Sequence, residues 1–320
     1  MHKVVGGATR LAAAVVAAPR LSASMVVTAP IFGGATEESA AYNYRVLMVR
    51  RAEGGSFESA LVFPGGVEEA SDSRDAARWH TDAHRVCAVR ETFEETGLLL
   101  TTEIEQSSTQ HPTRSSQPFS ALCMQHGARP LDTRLIGRWI TPRAKAIRFD
   151  TRFYMLNIKE TDKFLLSQLD SGRVQESELV AMDWVRPDEV LLANAQSRTA
   201  LFPPQFYILT ELARHRRWQD LARHARSSVQ AETPIEPVLC RRSDGRVIAL
   251  LPGDRTYPAM DCGQLTGSEL AIRDADLFVE DDGDRVHRIV MRPAASKAGG
   301  FHAAGLHQSP VAGSSRPANL

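Results

Sequence analysis

The sequence predicts an α/β fold, in which short strands and helices alternate around a mixed sheet. Short apolar runs bounded by turn residues indicate strands, and Asp82–Thr96 has the apolar spacing of an amphipathic helix. Phe119–Gln125 and Asp188–Ala193 are weaker helix candidates. The composition, 43% hydrophobic and 24% charged, is typical of a globular protein and excludes a disordered or coiled-coil chain. The predicted strands are Met25–Thr28, Tyr44–Val49, Ala60–Phe63, Arg152–Asn157 and Leu179–Val185.

The chain is predicted to divide into four segments. An N-terminal extension (1–21) precedes an α/β domain (22–195), and a C-terminal extension of helix and strand follows (196–293). In that extension, Pro203–Pro204 begins a predicted helix over Gln205–Val229, because prolines suit a first helical turn. Strands are expected at Val238–Cys240, Val247–Leu251 and His287–Met291. The last segment (294–320) has few residues to bury, and we expect it to be disordered.

Charge and cysteine content exclude several classes of protein. Lys+Arg and Asp+Glu are both 38, which does not favour a protein that coats nucleic acid. The four cysteines form no C-x-x-C pair, so neither a zinc ribbon nor a disulfide framework is indicated, and we expect a reducing compartment. No run approaches the roughly 18–20 apolar residues of a membrane span.

The most informative stretch is the helix around Glu91. Its apolar residues Val86, Val89 and Phe93 lie on one side and are expected to dock on the sheet, while three glutamates share the opposite face. Clustered like charges destabilise an isolated helix, so the three glutamates are expected either to bind a ligand or to be separated by solvent. Hard divalent cations prefer carboxylate oxygens, which makes these residues candidate metal ligands; the alternative is a solvated acidic face. The three glutamates are Glu91, Glu94 and Glu95.

The glutamates belong to a longer pattern. Strand Leu61–Val67, which contains Pro64-Gly65-Gly66, together with Arg90 to Leu98 resembles the Nudix box G-x5-E-x7-R-E-U-x-E-E-x-G-U. Gly66 stands 24 residues before Arg90, about ten more than in the standard box. The extra residues, around Ser73–Thr81, are expected to lengthen the loop before the helix, and Asp72 replaces the box's first glutamate. The resemblance implies a Nudix α/β/α sandwich with a mixed sheet, followed by a C-terminal α+β extension.

Segments outside the box narrow the resemblance to the nucleoside-diphosphate-linked moiety X motif 19 group, the peroxisomal coenzyme A diphosphatases. The similarity runs from about residue 22 to 292, with its segments in the same order. These segments are Leu61–Val67, Cys87–Leu100, Arg148–Thr151, Met182–Trp184, Pro203–Tyr207, Leu250–Asp254 and His287–Val290.

The resemblance implies roles for individual residues in the cleavage of a diphosphate by water with Mg²⁺ or Mn²⁺. Glu91 and Glu95 are the expected principal metal ligands, and Glu94 a further ligand or a base. Arg90 is expected to orient a glutamate, and the Gly65-Gly66 turn to shape the loop beside the metal. Glu178 is a candidate ligand or general base, with Glu176 as the alternative.

Three further residue types have open interpretations. Arg148, like Arg152, could pair with a substrate phosphate, or it could form a salt bridge with Asp150. The i,i+4 pair His80 and His84 lacks the glutamate of H-E-x-x-H, so metal binding there is disfavoured. Cys87, on the glutamate face, is interpreted as a partly buried residue rather than a nucleophile.

The expected substrate is coenzyme A or acyl-coenzyme A, cleaved to adenosine 3′,5′-bisphosphate and (acyl-)phosphopantetheine. An NADH- or ADP-ribose-type diphosphatase is the alternative enzyme, and a catalytically silent Nudix ligand-binding domain is the alternative outside that class. The expected partner is therefore a small nucleotide-type molecule, with neither nucleic acid nor a membrane span.

Two terminal signals bear on location. Ala318-Asn319-Leu320 resembles the Ser-Lys-Leu peroxisomal signal, with asparagine in place of the basic residue, and would engage an import receptor. The basic N-terminal segment, with no acidic residue before Glu37, could instead be a transit peptide or a frayed terminus. We expect a peroxisomal protein, with mitochondrion or cytosol as alternatives.

Overall fold

The structure is a computed structural model that describes residues 17–31, 42–51, 60–102, 118–169, 179–224, 231–241, 245–257, 286–293 and 301–308. The predicted base or ligand Glu178, its alternative Glu176 and the C-terminal tripeptide 318–320 lie outside these residues. Within the described ranges, no helix has both the length and the apolar character needed to cross a membrane.

The centre of the fold is a mixed sheet. Its strands run in the order β3-β2-β1-β6-β5-β8, with β4 paired to β1 and β7 paired to β2. β1 and β6 are parallel, as are β5 and β8, and the other pairs are antiparallel. This confirms the predicted class. The strands are β1 (Arg20–Pro30), β2 (Tyr44–Arg51), β3 (Leu61–Val62), β4 (Gly65–Val67), β5 (Arg134–Ile140), β6 (Phe149–Asn157), β7 (Leu179–Val185) and β8 (Pro234–Ile235).

Helices cover both faces of this sheet. Alternate β1 residues point to opposite sides, so Met25 packs in the same apolar cluster as Phe93, whereas Val26 packs with Phe206. The result is the predicted α/β/α sandwich. The helices are α1 (Ala70–Trp79), α2 (Ala83–Thr96), α3 (Phe119–Gln125), α4 (Lys163–Leu169), α5 (Pro187–Ala195), α6 (Pro203–Ala213) and α7 (Trp218–His224).

The extra residues of the box, around Ser73–Thr81, form most of helix α1 rather than a longer loop, so that prediction was wrong. The first turn of α1 is closed locally, since the backbone N–H of Glu69 donates to Oδ2 of Asp72 at 2.9 Å. Asp75 and Ala76 are buried on one side of the helix. The helix ends at His80, which has a left-handed φ of 52°.

The C-terminal extension packs on the sandwich through a second, antiparallel sheet of order β12-β11-β10-β9. Val247 and Ile289 of this sheet share an apolar cluster with the main sheet and α6. The predicted helix over Gln205–Val229 is instead divided into α6 and α7. The strands are β9 (Val238–Arg241), β10 (Val247–Leu250), β11 (His287–Pro293) and β12 (Phe301–Gln308).

Part of the segment predicted to be disordered is a strand. Residues 301–308 pair antiparallel with β11, from Pro293 opposite Phe301 to His287 opposite Gln308. An edge strand needs backbone hydrogen bonds rather than many apolar side chains, and for this reason composition alone did not predict it.

Candidate active site

Helix α2 runs from Ala83 to Thr96, within one residue of the bounds that its sequence predicts. Asp82 caps its start by accepting a 2.8 Å hydrogen bond from the backbone of Arg85. Gly97 ends it with φ 75°, and the backbone N–H of Gly97 donates to the carbonyl of Phe93. Val86, Val89 and Phe93 are fully or almost fully buried. Their burial leaves the glutamate face directed away from the apolar cluster.

The glycine turn lies directly against this face. The backbone N–H of Gly65 donates to Oε2 of Glu95 at 3.0 Å. A Cβ atom added to Gly66 would lie 2.4 Å from the carboxylate carbon of Glu91, so any larger residue would displace that carboxylate from its present position. A Cβ atom on Gly65 would lie 2.4 Å from the backbone oxygen of Ala23 on β1. The turn therefore brings the backbone of β4 into contact with two of the three glutamates.

Arg90 orients two of the three carboxylates. Its Nη1 donates to Oε1 of Glu91 and to Oε2 of Glu94, both at 2.9 Å. Its Nε and Nη2 form a bidentate ion pair with Asp72 of α1, at 2.8 and 2.9 Å. Only 8% of the Arg90 side chain and 1% of the Asp72 side chain are exposed. The inserted helix thus fixes the arginine that positions the glutamates.

The electrostatics of the site follow from its burial. Burial raises the pKa of Glu91, against the opposing effect of the Arg90 guanidinium beside it. The thiol of Cys87 is fully buried, and burial raises its pKa as well. A buried thiol of raised pKa is a poor nucleophile, which agrees with the interpretation of Cys87 as a packing residue rather than a nucleophile.

The chemistry of the donors fits a hard divalent cation. Glu91, Glu94 and Glu95 supply carboxylate oxygens from one helix face, and Mg²⁺ and Mn²⁺ favour such ligands. Among the described residues, however, no group of three or more His, Cys, Asp or Glu side chains is arranged to hold a metal ion. Two of the three carboxylates are instead bonded to Arg90, and the third to Gly65. These glutamates are the residues that would hold the ion.

Arg148 is buried and paired with the C-terminal extension, and its contact with a substrate phosphate stays a prediction. Its side chain is 6% exposed and bonds to Glu236 at 2.6 Å and to the carbonyl oxygen of Thr141 at 3.0 Å. Arg148 does not pair with Asp150, which is held by Arg138. Glu236 is 88 residues away in sequence, so this pairing could not be predicted from local spacing. Arg148 joins the start of β6 to the C-terminal extension.

The two spaced histidines do not share a helix. His80 ends α1, whereas His84 lies in the first turn of α2. His84 sits between two charged residues: its Nδ1 is 3.4 Å from Oε2 of Glu68, and its Nε2 contacts Nη1 of Arg152. Sequence reasoning missed this arrangement, although it named both His84 and Arg152.

Comparison with known proteins agrees with this geometry. The NUDT19 Nudix domain family matches residues 80–212, which include α2 and its three glutamates. The acyl-coenzyme A diphosphatase NUDT19 of Gallus gallus is 30% identical, over 80% of this chain and 84% of that protein. This chain belongs to the NUDT19 family of Nudix hydrolases. The membership confirms the predicted enzyme class, a Nudix diphosphatase, and Nudix enzymes generally use divalent metal ions.

Other similar proteins share less sequence identity with this chain. The acyl-coenzyme A diphosphatase NUDT19 of Xenopus laevis is 24% identical, over 78% of this chain and 81% of that protein. The crystal structure of a Nudix hydrolase from Alicyclobacillus acidocaldarius is 24% identical, with a TM-score of 0.49, and covers 68% of this chain and 97% of that chain.

Proposed function

We propose that this protein hydrolyses the diphosphate linkage of coenzyme A or acyl-coenzyme A, with Mg²⁺ or Mn²⁺ as cofactor. The products are adenosine 3′,5′-bisphosphate and (acyl-)phosphopantetheine. The observation that carries the chemistry is the contact between the Gly65–Gly66 turn and the carboxylates of Glu91 and Glu95. The choice of substrate is supported by the printed names of the NUDT19 relatives, which are acyl-coenzyme A diphosphatases.

The reaction joins a water oxygen to one phosphorus and breaks the bond from that phosphorus to the bridging oxygen. A bound divalent cation would neutralise the phosphate oxygens and lower the pKa of water. Glu91, Glu94 and Glu95 would hold that cation, and Arg90 keeps two of these carboxylates oriented. The water proton passes to a base, for which Glu94 and the predicted Glu178 are the candidates. The bridging oxygen leaves as part of the second phosphate.

Product analysis tests the proposal directly. The protein is incubated with Mg²⁺ or Mn²⁺ and, separately, with coenzyme A, an acyl-coenzyme A, NADH and ADP-ribose, and the products are identified by mass. We expect adenosine 3′,5′-bisphosphate from the coenzyme A substrates. The Glu95→Gln variant is the control, because it replaces the carboxylate by an amide of nearly the same size. It should fold normally and release no product above background.

Each alternative function gives a different result. Cleavage of NADH or ADP-ribose alone would keep the diphosphatase mechanism and overturn the substrate. A silent ligand-binding domain would bind a nucleotide with no turnover, and Glu95→Gln would leave that affinity nearly unchanged. The retention of all three box glutamates argues against the silent domain. Peroxisomal location stays a prediction from the sequence.

A further inference from the structure

A row of adjacent residues crosses three strands beside the glutamates. In the register of the sheet, Gly66 of β4 lies opposite Ala23 of β1, and Ala23 lies opposite Arg152 of β6. Residues opposite one another on neighbouring strands point to the same face. Ala23 packs in the cluster of helix α2, so Arg152 shares the α2 face with Gly66. Two strand spacings separate Arg152 from Gly66, which is about 10 Å.

Contacts with helix α2 give the same position independently. Nη1 of Arg152 contacts Nε2 of His84. His84 lies seven residues before Glu91, and seven residues are nearly two helical turns, so both side chains are on one face about 10 Å apart. The guanidinium of Arg152 therefore lies on the same face of the sheet as the carboxylates, about two helical turns from Glu91 along α2.

The contact between Arg152 and His84 defines which nitrogen of the His84 ring carries the proton. An arginine N–H can only donate, so Nε2 of His84 must be the acceptor and its proton must be on Nδ1. Nδ1 faces Oε2 of Glu68 at 3.4 Å. Oε2 of Glu68 itself has no hydrogen-bond partner in the described part of the chain, so the contact that orients the arginine is the one with the imidazole of His84. This contact holds the Arg152 side chain against the first turn of α2.

Arg152 differs from neighbouring arginines in the partner of its guanidinium. Arg90 is paired with Asp72, Arg138 with Asp150, and Arg148 with Glu236. Among the described residues, no carboxylate lies within 4 Å of the Arg152 guanidinium, whose bonded partner is an imidazole acting as acceptor. Asp150, on the same face two residues earlier, is held by Arg138 through both oxygens; these bonds and, to a smaller extent, the charge of Arg152 lower the pKa of Asp150. The half-buried Arg152 thus retains a positive charge that can meet an anion.

We propose that Arg152 binds a phosphate group of the substrate other than the one held at the glutamates, and that His84 positions its guanidinium. The inference rests on the proposed function. A planar guanidinium donates two parallel N–H groups, which suits phosphate oxygens. The phosphate is either the far half of the diphosphate or the 3′-phosphate of coenzyme A, and the choice of substrate in the test separates these two sources.

The test compares Arg152→Gln with wild type on coenzyme A and on dephospho-coenzyme A, which lacks only the 3′-phosphate. Loss of a charge-assisted hydrogen bond is expected to lower kcat/KM for coenzyme A about ten- to hundredfold. An equal loss on both substrates assigns Arg152 to the diphosphate; a loss on coenzyme A alone assigns it to the 3′-phosphate. Arg74→Gln removes a positive charge from the exposed side of α1 and should change neither value.

Two further measurements keep the inference testable. Arg152→Lys retains the positive charge but lacks the two parallel N–H donors, so its kcat/KM should lie between those of wild type and Arg152→Gln. If wild type cleaves neither substrate, the affinity of each protein for coenzyme A is measured by calorimetry, which separates the inference from the proposed function. A folded Arg152→Gln protein with kcat/KM within threefold of wild type on both substrates, or with unchanged affinity in the binding assay, would overturn the assignment.

The role of His84 is tested through its dependence on Arg152. His84→Asn should raise KM for coenzyme A more than it lowers kcat, and should have little further effect once Arg152 is already glutamine. If His84 only supported the fold, His84→Asn would lower the melting temperature and would change kcat/KM to the same extent in wild type and in Arg152→Gln. That result would contradict the positioning role.

Discussion

The guanidinium of Arg90 and the carboxylate of Asp72 form a buried bidentate ion pair, with N–O distances of 2.8 and 2.9 Å. The pair joins the inserted helix α1 to the glutamate-bearing helix α2. It matters for the site because Arg90 is also the donor to Glu91 and Glu94. The inserted segment is therefore a part of the catalytic support and not merely a longer connection.

Removal of this carboxylate should affect both stability and activity. Asp72→Asn leaves the buried Arg90 charge without its main partner, which typically costs about 3–5 kcal/mol of unfolding free energy. Turnover of the remaining folded protein should also fall, since Glu91 and Glu94 lose their fixed donor. Denaturant unfolding and kcat measured at a temperature where the variant is folded check both parts.

A matched variant on the same helix gives the comparison. Arg78 pairs with Asp75, but 48% of the Arg78 side chain is exposed. Arg78→Gln should change the unfolding free energy by less than about 1 kcal/mol and leave turnover unchanged. Equal effects of Asp72→Asn and Arg78→Gln would contradict the special role of the buried pair.

A methyl group at Gly66 should disable the site without unfolding the protein. In Gly66→Ala the new Cβ would meet the Glu91 carboxylate at 2.4 Å, and that carboxylate is the movable end of a side chain. The carboxylate should shift, and kcat should fall by at least about tenfold because small displacements at a reacting centre are costly. Turnover assays and thermal melts measure the two effects.

Gly127→Ala is the control for that substitution. Gly127 has φ 61° and open space around its Cα, so alanine there introduces backbone strain and no collision. About 1 kcal/mol of stability should be lost, with kcat retained. If Gly66→Ala kept full turnover, the close approach of Glu91 to the turn would not be a requirement of the reaction.

Removal of divalent metal should abolish turnover but not the fold. The apolar clusters on both faces of the sheet form without a cation, and Arg90 partly neutralises the glutamates. We expect EDTA to stop product release, added Mg²⁺ or Mn²⁺ to restore it, and the melting temperature to change little. Turnover that persists after complete chelation would exclude the metal-dependent mechanism.

The C-terminal extension has a pH-sensitive ion pair of its own. Burial alone would raise the pKa of Asp254, but hydrogen bonds from Arg288 and Thr256 outweigh it and lower the pKa overall. A depressed carboxyl pKa contributes stability above its unfolded value, about 3.9, and that contribution is lost as pH falls through the folded value. Wild type should therefore lose stability more steeply below about pH 4 than Asp254→Asn does.

Unfolding free energies measured between pH 7 and pH 3 check this expectation. The gap between wild type and Asp254→Asn should be widest near neutral pH, where the variant leaves Arg288 buried without its partner. A gap that is independent of pH would show that ionisation of Asp254 does not contribute to folding.

Local sequence was enough to predict the parts of this protein that depend on neighbouring residues. The approximate bounds of α2, its end at Gly97 and the glutamate face follow from helical periodicity, and the contact of Arg90 with glutamates follows from the resemblance to the Nudix box. The α/β class and most strand positions follow from short apolar runs. These features form between residues a few positions apart, so their pattern is visible in the chain itself.

The tertiary structure decided the contacts between distant residues. Arg148 is 88 residues from Glu236, and Arg152 is 68 residues from His84. Neither spacing indicates which arginine is neutralised and which is left to meet an anion. Likewise, residues 301–308 form a strand only because β11 offers a free edge. Partner choice of this kind depends on strand register and burial, which are properties of the assembled sheet and not of any local segment.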